Sequence, residues 1–105
     1  MATYVALVNF TEEGARHIRH TAERAKGLIK AAANVNIKVK DIYWTMGAFD
    51  AVFVADAPDD ETMTAFAMSM ASLGNIRTQT MRAFSPSEMT RIVNMLPTTE
   101  VTATK

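Results

Sequence analysis

The sequence predicts an α+β fold with its elements in the order βαββαβ, closed by one short extra helix. Three observations carry that expectation: two strongly apolar strand-like stretches, at residues 3–10 and 51–57, two amphipathic helical stretches that each follow a strand, and a more polar final strand. The 105 residues suit one domain, expected over residues 1–97, followed by a tail over residues 98–105 whose Thr-rich composition predicts disorder.

The first stretch, TYVALVNF from Thr3 to Phe10, is apolar in both of its alternating sets, as a strand covered on both faces would be. Thr11 followed by Glu12 and Glu13 starts a helix, with acids where the helix dipole favours them. The spacing predicts an inner stripe of Ala15, Ile18, Ala22, Ala25, Ile29 and Ala32, with Arg16, Arg19, Glu23, Lys26 and Lys30 outside it. A second strand is expected from about Ile37 to Met46. Its apolar parity changes midway, from Ile37 and Val39 to Ile42, Trp44 and Met46, which predicts a bulge near Lys40–Asp41.

Gly47-Ala48-Phe49-Asp50 reads as the hairpin connection to a third strand, AVFVADA. Pro58 to Glu61 opens a second helix with Met63, Phe66, Ala67, Met70 and Leu73 on its inner side and Gly74 placed to end it. Asn75 to Phe84 is polar enough for a sheet edge. Ser85-Pro86-Ser87-Glu88 is a capping box with proline at the first helical position, and the helix it starts carries Met89, Ile92, Val93 and Leu96 before Pro97 stops it.

That order corresponds to a ferredoxin-like sandwich, four antiparallel strands with helices on one face and the first and third strands central. Helices then cover only one of two apolar faces. Val5 and Leu7 point one way and Tyr4, Val8 and Phe10 the other, so a second copy is expected as the cover, giving a homodimer or larger homo-oligomer. The outer side of the second helix, with Thr64, Ala65, Met68 and Ser72, is small and uncharged and suggests a further subunit contact.

Eleven basic and eleven acidic residues cancel, so no basic stripe recommends a nucleic-acid or membrane partner. Cysteine is absent, which removes disulfides and thiolate chemistry. No signal-peptide pattern follows Met1, and the longest uncharged run, Thr62 to Ile76, is too short to span a bilayer; a soluble, cytoplasmic protein is expected. Phosphate loops, nucleophile elbows and zinc spacings are missing, and no cofactor is expected.

Candidate chemistry is sparse. Tyr43, Trp44, Phe49 and Asp50 surround one hairpin and form a candidate ligand rim, or else an ordinary hairpin in which Asp50 bonds the backbone of its own turn. Arg82, with Arg77, could hold a ligand carboxylate or an intersubunit pair. Glu13, His17 and His20 share a helix flank, but Arg16, Arg19 and Arg24 crowd it, so no metal site is expected. His17 is the better candidate general base. Asn9, on the face of Val5 and Leu7, is a polar group expected near the core that could orient a bound oxygen or cap the first helix. Core and interface packing accounts for the eight methionines.

The segments TYVALVNFTEEG, KVKDIYWTMGAFDAV, APDDET and SLGNIRTQTMRAF together resemble the GYD-domain family, small bacterial proteins of the dimeric α/β-barrel type, across roughly Ala2 to Leu96. In the signature that gives the family its name, Gly47 and Asp50 stand and Phe49 takes the place of tyrosine. The resemblance implies the fold and a paired sheet, and brings no settled activity. The function expected is a homo-oligomeric module for assembly or for binding a small hydrophobic or aromatic molecule. The alternative is a cofactor-independent enzyme, monooxygenase- or isomerase-like, using a cleft between sheet and helices with Asn9, Trp44 and His17. A third reading has His17 or His20 as an axial haem ligand.

Overall fold

The structure, a computed structural model, describes residues 1–98; the expected disordered tail therefore lies, after Thr98, outside the described residues. The elements are β1 (Ala2–Phe10), α1 (Glu12–Arg16), a single 3-10 turn (Ile18–His20), α2 (Thr21–Asn34), β2 (Lys38–Trp44), β3 (Ala51–Ala57), α3 (Asp60–Ser72), β4 (Ile76–Ala83) and α4 (Pro86–Val93). The strands form one antiparallel sheet in the order β2-β3-β1-β4, so β1 and β3 are central and polar β4 is an edge, in a ferredoxin-like arrangement.

Alternation along the central strands sorts their side chains. Tyr4, Ala6 and Val8 of β1 and Ala51, Phe53, Ala55 and Ala57 of β3 are buried under the helices. Val5, Leu7, Val52 and Val54 point to the opposite face and are only half-buried. From α3, Met63, Phe66 and Met70 complete the core, and Phe53, Ile37 and Met63 are its largest fully enclosed side chains. Removing the Phe53 ring would cost about 3–5 kcal/mol. Leu73, expected on the inner side of α3, is 74% exposed, because α3 ends at Ser72 and Gly74, at φ 85, turns the chain away.

The bulge falls between Val39 and Asp41, leaving Lys40 as the extra residue. Val39 pairs with Ala55 and Ile42 with Phe53, so both face the helices although they stand an odd number of residues apart. Caps define the helix starts. Asp59 accepts from Thr62 N at 2.7 Å, which holds its carboxyl below the usual carboxylate range. Ser85 and Glu88 form the reciprocal capping box of α4.

The first helix departs from expectation. Thr11 caps α1, but its N–H donates to Asn75 O at 3.1 Å and its hydroxyl to Gly74 O at 2.6 Å, which ties α1 to the turn before β4. To lie across the sheet from that anchor the chain must pivot, and His17 leaves helical geometry at φ −109 and ψ 32. The 3-10 turn then re-phases α2. Its inner line is Thr21, Ala25, Leu28 and Ala32, whereas Ile18 and Ile29, placed in the buried stripe by spacing alone, are 42% and 40% exposed.

Candidate functional site

Two features of the fold offer surfaces for chemistry or binding: a cavity under the helices and an uncovered sheet face behind them. The cavity, about 450 Å³, opens between α2 and α3 above β1, β2 and β3. Its walls are apolar, chiefly Phe10, Leu28, Ile42, Phe53, Phe66 and Met70. The small residues Ala25 and Ala31 of α2 and Ala51 of the sheet border it and leave it unfilled. Trp44 stands on the rim, where its indole N–H donates to Thr21 Oγ1 at 3.0 Å and fixes the end of β2 to the start of α2. Arg24, Ser69 and Asn75 are further polar residues on the lining.

The sequence singled out Trp44 but missed Thr21 and Arg24. The available signal was the small residues of α2, since alanines on an inner helix face cannot reach a sheet that also offers alanine.

The other expected site residues are not gathered there. Tyr43 neighbours Trp44 in the chain and therefore points to the opposite face, where it pairs with Val52 and is 61% exposed. Phe49 is half-buried in the hairpin turn and its carbonyl accepts from the Thr45 hydroxyl at 2.7 Å. Asp50 does more than brace its own turn. Its Oδ2 accepts from Phe10 N at 2.8 Å and its N–H donates to Val8 O at 2.8 Å, so it latches the hairpin to β1. Asn9 pairs with Arg77 on the uncovered face, behind the cavity, instead of lying near the core under the helices.

His17 closes α1 with Nε2 3.0 Å from Glu13 Oε2, while His20 turns to Glu23 at 3.9 Å, so the flank shared by Glu13, His17 and His20 is split by the helix break. Asn9, Trp44 and His17 thus do not converge on one point. Among the described residues, no group of three or more His, Asp or Glu is arranged to hold a metal ion.

Arg82 lies at the far edge, where its Nη2 is 3.2 Å from Glu88 Oε2 and its guanidinium stands 4.5 Å above the Phe84 ring centre and 5.8 Å from that of Tyr4. It also donates to the carbonyls of Thr3 and Ala83. Arg82 is therefore the clasp between β4 and α4. Beside it, an open hollow of about 610 Å³ runs between α3 and β4, with Arg77, Thr80 and Arg82 on one wall and Asp60 and Met68 on the other. At its edge the Tyr4 hydroxyl donates to Asp60, and burial, reinforced by that carboxylate, pushes the Tyr4 pKa up to about 12.

The uncovered face is a strip of Val5, Leu7, Val52 and Val54, flanked by exposed Tyr43 and Met81. Polar groups mark its ends. Thr3 and Lys40 meet Asp56 at 2.7 Å and 3.8 Å at one end, and Asn9 with Arg77 stands at the other. A second apolar surface is α4, none of whose residues is buried and whose Met89 and Val93 are exposed one turn apart. Among the described residues no helix is long and apolar enough to cross a membrane.

Comparison with known proteins bears on the fold and the family. A glutamine synthetase and cystathionine beta-lyase binding protein of Thermus thermophilus is 27% identical over 90 residues, spanning 85% of this chain and 95% of that one. A crystal structure of a Thermus thermophilus protein superimposes with a TM-score of 0.53 at 24% identity, over 81% of this chain and 95% of the other, and shares its fold. The model of the GYD domain matches residues 4–93, nearly the whole described chain, and the protein belongs to the GYD-domain family.

Proposed function

We propose that this protein is a homodimeric binding module that pairs through the open face of its sheet and, so paired, docks onto other proteins. The observation that carries the reading is the strip of Val5, Leu7, Val52 and Val54. It is contiguous, lies on the two central strands, and among the described residues no element of the same chain covers it. An apolar face of this kind at the middle of a sheet is a partner surface. Polar groups at both ends suit a two-fold pairing in which each patch meets its own copy.

Docking onto other proteins draws on two further observations. The relative from Thermus thermophilus is named for binding two enzymes, and it matches over nearly its whole length. The apolar side of α4, with Met89 and Val93 exposed on a helix that the Arg82–Glu88 clasp ties to β4, supplies a helix face of the sort that proteins insert into grooves. A cofactor-independent enzyme working in the cavity would have to do so without Asn9 or His17, neither of which reaches it.

The test is the mass of the purified protein in solution by light scattering. Wild type should be a dimer, and Val52→Asp should be a folded monomer. A wild-type monomer at micromolar concentration, or a Val52→Asp dimer, would refute the pairing. Immobilised glutamine synthetase and cystathionine β-lyase then test the docking: capture by the dimer supports it, and no capture of either enzyme counts against it.

A further inference from the structure

We infer that the cavity between α2, α3 and the sheet is a binding site for a monocarboxylate with an apolar body, and that Arg24 holds the carboxylate. The inference does not depend on the pairing of sheets, since the cavity lies on the other face.

Size and wall chemistry come first. The space is about 450 Å³, or about fifteen waters at about 30 Å³ each. Phe10, Leu28, Ile42, Phe53, Phe66 and Met70 give that much water few hydrogen-bond partners, and an unfilled apolar wall forfeits its dispersion contacts. An apolar guest of medium chain length, or a single ring with a short arm, satisfies the wall. The void is held open by the structure itself. Ala25, Ala31 and Ala51 leave it vacant, and the Trp44–Thr21 hydrogen bond keeps the rim in place.

Charge then selects the guest. Among the described residues Arg24 is the one charged residue that lines the cavity, and no carboxylate lines it. Among the described residues Arg24 makes no ion pair: nearby Glu23 faces His20, and Asp50 is engaged by Phe10 N. Arg24 on the lining of an apolar cavity, with Asn75 and Ser69 as its polar neighbours on the same lining, suits a planar carboxylate that can accept two parallel N–H bonds from a guanidinium. A single cation with no phosphate loop does not suit a nucleotide or other polyanion.

Trp44 is the only tryptophan and stands on the rim, so its fluorescence reports occupancy directly. The probes are octanoate and phenylpropanoate, which separate chain from ring, with octanol as the uncharged control. Saturable binding of at least one carboxylate, one per chain and at least tenfold tighter than octanol, is the expected result. Arg24→Gln should erase that preference and leave octanol binding unchanged, Arg24→Lys should keep part of it, and Ala25→Phe should block all three probes. Arg24 is exposed, so its variants should melt with wild type. Failure of both carboxylates to bind, equal affinity for octanol, or an Arg24→Gln variant that keeps the preference would each overturn the inference. Val52→Asp should bind the probes as wild type does, which keeps this result separate from that of the pairing.

Discussion

The same substitution, glycine to alanine, should change stability in opposite directions at two positions thirteen residues apart on one stretch of chain. At Gly14 in α1, an added Cβ would stand 2.0 Å from Asn75 O. Carbon and oxygen need about 3.3 Å, so the two segments must part by more than about 1 Å. The obstacle is backbone, and no rotamer change relieves it. Parting breaks the bonds that Thr11 makes to Asn75 O at 3.1 Å and to Gly74 O at 2.6 Å.

Each bond is worth about 1 kcal/mol and strain at the α1 cap about 1 kcal/mol more, while the gain in helix propensity returns about 1 kcal/mol. The net loss is about 2 kcal/mol, which lowers Tm by roughly 8–16 °C in a domain of this size. At Gly27, midway along α2, an added Cβ meets nothing within 4 Å, and Gly27→Ala should gain about 0.5–1 kcal/mol from helix propensity alone. Urea unfolding followed by circular dichroism, at one fixed protomer concentration so that association does not enter, measures both. A Gly14→Ala variant as stable as wild type would show that the anchoring of α1 on the Asn75 turn has been misread, and a Gly27→Ala variant less stable than wild type that the surroundings of α2 have.

Three further outcomes are expected. Val52→Asp places one unpaired carboxylate per subunit in the proposed seam, at about 3–5 kcal/mol each, so dimer affinity should fall by more than about a thousandfold in a sedimentation experiment. The buried Tyr4 hydroxyl, with its pKa raised to about 12, contributes stability that is whole below the ordinary tyrosine pKa and is lost as pH climbs towards 12; Tyr4→Phe should flatten that alkaline fall in thermal scans. The Glu88 carboxyl is held below the usual carboxylate range, first by the Ser85 N–H and then by Arg82, so its contribution is present above that range and is lost as pH falls through the depressed value. Amide protection across α4, the exchange rate relative to that of an unstructured chain at the same pH, should therefore fall in acid in wild type, and Glu88→Gln should show lower protection already at neutral pH with little further acid dependence.

Much of the fold was legible because its signals are local. The parity change around Lys40 announced the bulge, the Ser85–Glu88 spacing announced the capping box, and the two-sided apolarity of β1 and β3 announced their central places. The break at His17 was not legible, because its cause is the docking of Thr11 and Gly14 on Asn75, which is remote in sequence. A helical wheel cannot know that a helix must pivot. The candidate site was legible only at Trp44. Adjacent aromatic residues at Tyr43 and Trp44 looked like one rim, yet strand alternation sends them to opposite faces. Arg24 carried no signal of its own among the basic residues of its helix, and only the cavity distinguishes it.

The bulge at Lys40 has a consequence for how this stretch can vary. Beyond it, the single extra residue decides which side chains of β2 belong to the cavity and which to the uncovered face: Ile42 and Trp44 to one, Asp41 and Tyr43 to the other. The side chain of Lys40 is exposed and matters little to that sorting; its place in the count matters a great deal. The strand is thus tolerant of spelling and intolerant of length. Many residues can stand at this position, but a deletion would exchange the two surfaces at a stroke, turning the indole outward and the phenol in.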